Sequence, residues 1–283
     1  MERRYEIRKR EILQATQIQP QVTEGMLKRL EQFAHPFVAA FSRRDSRANV
    51  RVYLGGLLSD AARKNVESIA YHYDRQRGGL QYFIGQSSWS PHPLQQELAR
   101  QVGRELGQAD GVIGFDPSGF KKCGTESVGV QRQWLGRLGK VDNGQVGVYL
   151  AYASRKECSL VDERLYLPKS WANDRKRRKK CGVPKEVRYQ TRHELALDML
   201  ESNRGLLPHQ WITGDDEMGR SSGFRRDLQG LGEQYLLAVP SDTGVRDLET
   251  APPAYGGRGA PAKQPFMRAD RWRAALDERA WTR

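Results

Sequence analysis

The order of apolar runs after Gly111 is the strongest constraint on what this chain folds into. GVIGFD (111–116) is a short apolar run that ends in an acid and then Pro117, as a buried strand does. GQVGVYLAYAS (144–154) is a longer strand candidate, and SLVDERLYLP (159–168) pairs with it through a turn around Lys156 and Glu157. A basic connector follows, then a helix over about 192–203 with Leu195, Met199 and Leu200 facing inward. WITGD is a fourth strand ending in Asp215, a helix spans about 222–231, and YLLAVP (235–240) is a fifth strand. Three strands in succession, then helix, strand, helix, strand, predict a mixed α/β sheet of three hairpin-type strands extended by right-handed crossovers.

Upstream the periodicity is helical. Residues 22–108 read as a small all-helical region. Thr23 is a candidate cap for Met26, Leu27, Leu30 and Phe33; Val66, Ile69, Ala70 and Tyr73 make a second face. Pro93 opens a third helix through Leu94, Leu98, Val102 and Leu106, which Gly107 ends. Residues 1–21 mix charge and Gln without period and read as a mobile basic arm. Residues 109–246 contain the sheet. From 247 to 283 the chain turns dense in Pro, Gly and Ala, and then offers one amphipathic helix through Trp272, Ala275 and Leu276. No apolar run approaches the length of a membrane helix, and the start has no secretory pattern, so no membrane partner is expected. Cys123, Cys158 and Cys181 have no CxxC spacing, which argues against a disulfide framework or a zinc site and for a reducing cytoplasm.

Charge points to the partner. With 47 Lys and Arg against 34 Asp and Glu, the net charge is +13, which favours a polyanion and nucleic acid first. Asp116 and Asp215 each follow a predicted strand, where α/β sheets present their sites. Brought side by side, such carboxylates repel unless a divalent ion such as Mg²⁺ joins them, and that arrangement suits phosphodiester cleavage. Either acid alone equally suits a turn or a helix cap. Between them, Lys121, Lys122, Arg132, Arg137 and Lys140 are interleaved with glycines, which let a backbone approach phosphate; the plainer reading is a glycine-rich hairpin with a solvated basic face. Arg175, Lys176, Arg177, Arg178, Lys179 and Lys180 form a run of six cations that on its own reads as a solvated, mobile basic loop and, beside a phosphodiester-cutting site, as a strap contacting the phosphates of DNA. Trp134 and Trp171 are candidates for stacking on bases, with packing as the ordinary alternative. Sharper motifs fail: His193-Glu194 lacks the second His of HExxH, GRLGK is not a P-loop, and GRSSG around Ser221 has no histidine after it.

Taken together, FDPSGFKKCGTESVGVQRQWLGRLGKVDNGQVGVYLAY and WITGDDEMGRSSGFRRDLQGLGEQYLLAVP resemble the DDE transposases of bacterial insertion sequences, in particular the DDE-superfamily endonuclease domain. The resemblance runs from about Arg51 to the end of the chain. It implies a ribonuclease-H-like catalytic core whose first two acids, at strand ends, match Asp116 and Asp215, with Asp216 a disfavoured neighbour. It further implies two Mg²⁺ or Mn²⁺ ions, nicking of element ends, joining to target DNA, and double-stranded DNA with a synaptic dimer as partners. The family's third carboxylate lies beyond an inserted segment that begins here near Asp247; Glu278 does not match its surroundings, so the third carboxylate is unknown and the chain reads as C-terminally truncated, with doubtful turnover. A non-catalytic remnant that occupies element ends is the alternative, and a repair nuclease shares the same metal chemistry.

Overall fold

The computed structural model describes residues 25–260 and 263–277; the expected arm over 1–21, the Thr23 cap and Glu278 lie outside them. The chain divides into two compact units, residues 1–97 and 98–283.

In the first unit, α1 (Met26–Ala39), α2 (Arg44–Leu58), α3 (Val66–His72) and α4 (Arg77–Gly85) surround a core of Val38, Phe41, Val52, Ile69, Leu80 and Phe83. Asn65 caps α3 by accepting the Ser68 N–H at 2.8 Å. The helices approach closely because Gly56 has no side chain: a Cβ there would lie 2.3 Å from the Ile69 Cγ2. The turn into α4 uses Asp74 at φ 51°, a left-handed position that Asp tolerates better than most residues. The division at 97 falls inside α5 (His92–Glu105), whose second half contributes Ala99 and Val102 to the core of the second unit.

In the second unit, β1 (Val112–Lys121), β2 (Gln131–Leu135), β3 (Lys140–Ala153) and β4 (Cys158–Leu165) are followed by the short helices α6 (Lys169–Ala172) and α7 (Arg175–Lys180). Then come α8 (Arg192–Asn203), β5 (Trp211–Gly214), α9 (Asp216–Arg220), α10 (Ser222–Gly230) and β6 (Gln234–Leu237). β3 pairs antiparallel with β1 on one side; on the other it carries β2 along Lys140–Gly144 and β4 along Gly147–Ala153. β5 runs parallel to β1, and β6 parallel to β5. The path β4-β3-β1-β5-β6 is the ribonuclease-H-like mixed sheet that the resemblance implies. Along β1 the period of two puts Ile113 and Phe115 into a core with Val102, Leu195, Met199 and Phe224. The other sheet face is open: Gly114, Asp116, Ser118, Tyr149, Leu160 and Thr213 line a cavity of about 450 Å³.

A buried polar group ties the hairpin to α8. Asp162 is buried where the β3–β4 register shifts. It accepts from Asn203 Nδ2 at 2.9 Å and pairs with Arg164, which satisfies a carboxylate that would otherwise be costly to bury. Farther along, β7 (Gly244–Val245) pairs with β8 (Met267–Arg268), and α11 (Ala269–Ala275) follows.

Three expectations change. β1 does not stop at Asp116 but continues to Lys121, because β3 keeps pairing with it after β5 has ended; Pro117 is tolerated where one flank of β1 has no ladder. QRQWL forms β2, the first arm of a hairpin with β3, so the hairpin reading of the glycine-rich stretch holds while the sheet gains a strand beyond the three hairpin-type strands expected. The run of six cations is not a mobile loop but α7, capped by Asp174, whose Oδ1 accepts from the Arg177 N–H at 2.9 Å.

Glycine replacements in two helices are expected to have opposite signs. A Cβ on Gly103 in α5 would lie 1.9 Å from the Leu206 carbonyl oxygen, so Gly103→Ala should cost about 1–3 kcal/mol despite the better helix propensity of Ala. Nothing lies within 4 Å of a Cβ on Gly79 in α4, so Gly79→Ala should stabilise by up to about 1 kcal/mol. Urea unfolding of the two variants checks both signs.

Candidate active site

Parallel pairing of β1 and β5 brings the two predicted acids together. Phe115 and Gly214 are register partners, and each is followed directly by an aspartate, so Asp116 and Asp215 leave neighbouring strands at the same level. Asp116 is exposed, and its Oδ2 accepts from Ser118 Oγ at 2.7 Å. Asp215 is partly buried and caps α9, its Oδ1 accepting from the N–H groups of Glu217 (3.1 Å) and Met218 (3.2 Å). The capping role and the site role therefore coexist in one residue. Burial raises the Asp215 carboxyl above the ordinary aspartate range; the Met218 N–H opposes this, and the charges of Glu217, Asp116 and Asp216 push it further up. Asp216 itself is exposed and pairs with Arg220 at 3.7 Å. Glu217 is turned to Arg192, which holds both its oxygens at 2.6 and 2.8 Å.

One oxygen of Asp116 and one of Asp215 have no partner among the described residues. Asp116 lines the open cavity and Asp215 directly follows Gly214, which lines it too; such hard carboxylate oxygens match the way Mg²⁺ and Mn²⁺ bind, through one or two carboxylates with water or phosphate completing the shell. No group of three or more His, Cys, Asp or Glu side chains with metal-holding geometry occurs among the described residues.

The predicted cations divide into two classes. Lys121 and Lys140 both stand 3.4 Å from Asp142 Oδ2, so part of their charge is already balanced; Lys122 and Arg132 are exposed beside them. In α7, Arg177 stacks on the Trp171 ring at 3.5 Å and donates to the Thr125 carbonyl oxygen. Arg178 donates to the carbonyl oxygens of Ala172, Pro184 and Val187, and Lys180 pairs with Glu126 at 2.5 Å. Arg175, Lys176 and Lys179 are exposed and have no side-chain partner among the described residues. Three of the six cations thus fasten α7 to the segment before β2 and to the loop before α8, and three face solvent. Trp171 is fully buried, with its indole N–H on the Val130 carbonyl oxygen at 2.8 Å, whereas Trp134 is 55% exposed.

The motifs set aside in the sequence have structural roles. Glu194 forms a capping box with Thr191 at the start of α8, and His193 Nε2 lies 3.0 Å from the Glu217 carbonyl oxygen. Ser221 in GRSSG caps α10 through the Phe224 N–H at 3.2 Å. No helix among the described residues is long and apolar enough to cross a membrane.

The family model described as DDE superfamily endonuclease matches residues 36–283. A probable transposase for insertion sequence element IS701 from Microchaete diplosiphon is 31% identical over 236 residues, spanning 80% of this chain and 57% of that protein. The chain thus spans little more than half the length of this curated relative. Among solved structures, the Mos1 mariner paired-end complex with Mn is similar at 11% identity and a TM-score of 0.25, over 81% of this chain and 71% of that one. The Mos1 transposase paired-end complex with the left transposon end is similar at 12% identity and a TM-score of 0.23, over 66% and 57%. The fold assignment rests on strand order and direction.

Two outcomes follow from the site's packing. Arg178→Ala leaves three carbonyl oxygens without their donor and should cost about 1–3 kcal/mol, while Lys176→Ala should stay within about 0.5 kcal/mol of the parent in denaturant unfolding. In metal-free protein the raised Asp215 carboxyl holds its proton to higher pH than in the unfolded chain. Its contribution to stability is therefore greatest below the ordinary aspartate value and falls as pH rises through the raised one. Asp215→Asn keeps a capping oxygen and should flatten that fall, gaining less than about 1 kcal/mol at neutral pH after solvent screening, as thermal melts from about pH 4 to about pH 8 would register.

Proposed function

The chain belongs to the DDE superfamily endonucleases, and from that membership we propose that it is a DNA transposase which nicks the ends of a mobile element and joins them to target DNA. The observation that carries this reading is the side-by-side exit of Asp116 and Asp215 from parallel neighbouring strands.

In this reading Asp116 and Asp215 hold divalent metal, Mg²⁺ or Mn²⁺, through their unpartnered oxygens. The chemistry such ions supply when bound is activation of the attacking oxygen and stabilisation of the leaving oxygen at a phosphodiester. Ser118 and the α9 N–H groups each hold one oxygen of a carboxylate and leave the other for the ion, while Arg192 engages Glu217. Lys122, Arg132, Arg175, Lys176 and Lys179 contact the DNA backbone and set its register without reading sequence. The helical first unit grips element ends, and two copies bring two ends together.

Calorimetric titration of Mg²⁺ and Mn²⁺ into the parent protein and Asp116→Ala, with a nicked-duplex assay alongside, tests the proposal. The parent should show saturable divalent-ion binding that weakens at least about tenfold in Asp116→Ala, since one of two anionic ligands is gone. Equal binding in both proteins overturns the assignment. Salt-dependent duplex binding without nicking would favour the second reading, a DNA-binding form that occupies element ends.

A further inference from the structure

The first unit contains a cavity of about 240 Å³ at the N-terminus of α2, lined by Ser42, Arg43, Ser46, Ser88, Trp89 and Ser90 among others, and no carboxylate lines it. The start of α2 is built against the usual preference. Its N-cap is Arg43, which supplies no side-chain acceptor, so the backbone N–H groups of Arg44, Asp45 and Ser46 have no partner among the described residues. Arg43 and Arg44 oppose the helix dipole and Asp45 in the first turn complements it, so for the helix alone it is the capping that is unfavourable.

Ser46 is the independent sign of a ligand. Only 9% of it is exposed, it lines the cavity, and its hydroxyl has no hydrogen-bond partner among the described residues. A serine in a first helical turn ordinarily bonds a nearby backbone group, and this one does not. Ser90 Oγ accepts the His92 N–H at 3.3 Å and keeps its own proton to donate. Arg47 Nε holds the Phe41 carbonyl oxygen at 2.6 Å, and the Phe41 and Trp89 rings meet edge-on at 5.5 Å, so the walls on both sides are fixed by packing.

Free N–H groups, hydroxyl donors and a guanidinium around a pocket without carboxylates are complementary to a tetrahedral oxyanion. We propose that this cavity is a phosphate-binding site which takes a backbone phosphate of duplex DNA. The phosphate chemistry follows from the cavity itself; DNA as its source rests on the function proposed above. The donors that the helix leaves unpaired are the ones the ligand occupies, and Arg43 is placed for the ligand rather than for the helix. A contact of this kind positions the duplex and is indifferent to its sequence.

Backbone amide spectra of the full chain during titration with inorganic phosphate test the site directly. The amides of Arg44, Asp45 and Ser46 should shift saturably, sodium chloride at matched ionic strength should not reproduce the shift, and Ser46→Ala should weaken it about tenfold, the loss of one hydrogen bond to a charged group. Arg43→Gln, an exposed change that the fold tolerates, should weaken it comparably. With a duplex as probe, both variants should lose affinity at fixed salt for every sequence tried, and Arg43→Gln should lower the salt slope by about one. No saturable shift of these amides in the parent, or equal constants in the parent and both variants, overturns the proposal. Phosphate binding with duplex affinity unchanged in both variants overturns the DNA source and assigns the cavity to a free phosphate compound. Failure of the function proposed above shows instead as metal binding that does not depend on Asp116, a measurement on the other unit that leaves these amides unmoved.

Discussion

The parallel ladder between β1 and β5 is the contact on which the rest depends. Four register pairs, Val112 to Phe115 against Trp211 to Gly214, fix where two distant segments of chain end up relative to each other. A slip of one residue would send Phe115 out of the core and Asp116 into it, at once removing an aromatic contact with Phe224 and burying an unpaired charge. Packing therefore enforces the position of the acids. The same side-chain alternation that fills the core with Ile113 and Phe115 leaves Asp116 on the open face.

That enforcement has an electrostatic cost which the sheet absorbs. Asp215 sits where burial and three neighbouring carboxylates disfavour its charge, and only the α9 N–H groups compensate. Core packing over Met218 and Phe224, at the base of α9 and α10, holds the arrangement together. Glu217 is one of those three carboxylates, and its contact with Arg192, itself 5.1 Å from the Tyr166 ring centre, pairs its charge with a guanidinium.

Much of this was legible in the sequence, and the misses have physical reasons. Acids directly after apolar runs marked Asp116 and Asp215 as candidates, and the succession of runs pointed to a mixed sheet of hairpin-type strands extended by crossovers, whereas the order of the strands comes from the fold. β2 escaped because QRQWL alternates over five residues only and is flanked by glycine-rich turns, so its strand character comes from pairing with Lys140–Gly144. The division of the six cations in α7 was hidden for a different reason. Asp174 three residues before Arg177 is a readable cap, but the partners of Arg177, Arg178 and Lys180 are Thr125, Glu126, Pro184 and Val187, which only the folded chain brings near. The cavity at α2 was out of reach altogether, since it forms only when residues 88–94 fold over residues 40–46.

The small ladder between Gly244–Val245 and Met267–Arg268 carries a consequence for how such a chain can change over time. Thr243 and Ser241 accept the backbone N–H groups of Ala269 and Asp270 at 2.8 and 3.0 Å, so the two ends of the intervening excursion are clasped just past the edge of the main sheet. Closing a longer excursion costs only about 0.6 kcal/mol for each doubling of its length. Whatever is spliced into that span is thermodynamically insulated from the strands carrying Asp116 and Asp215, and the clasp makes this region the natural place for descendants to gain or shed material.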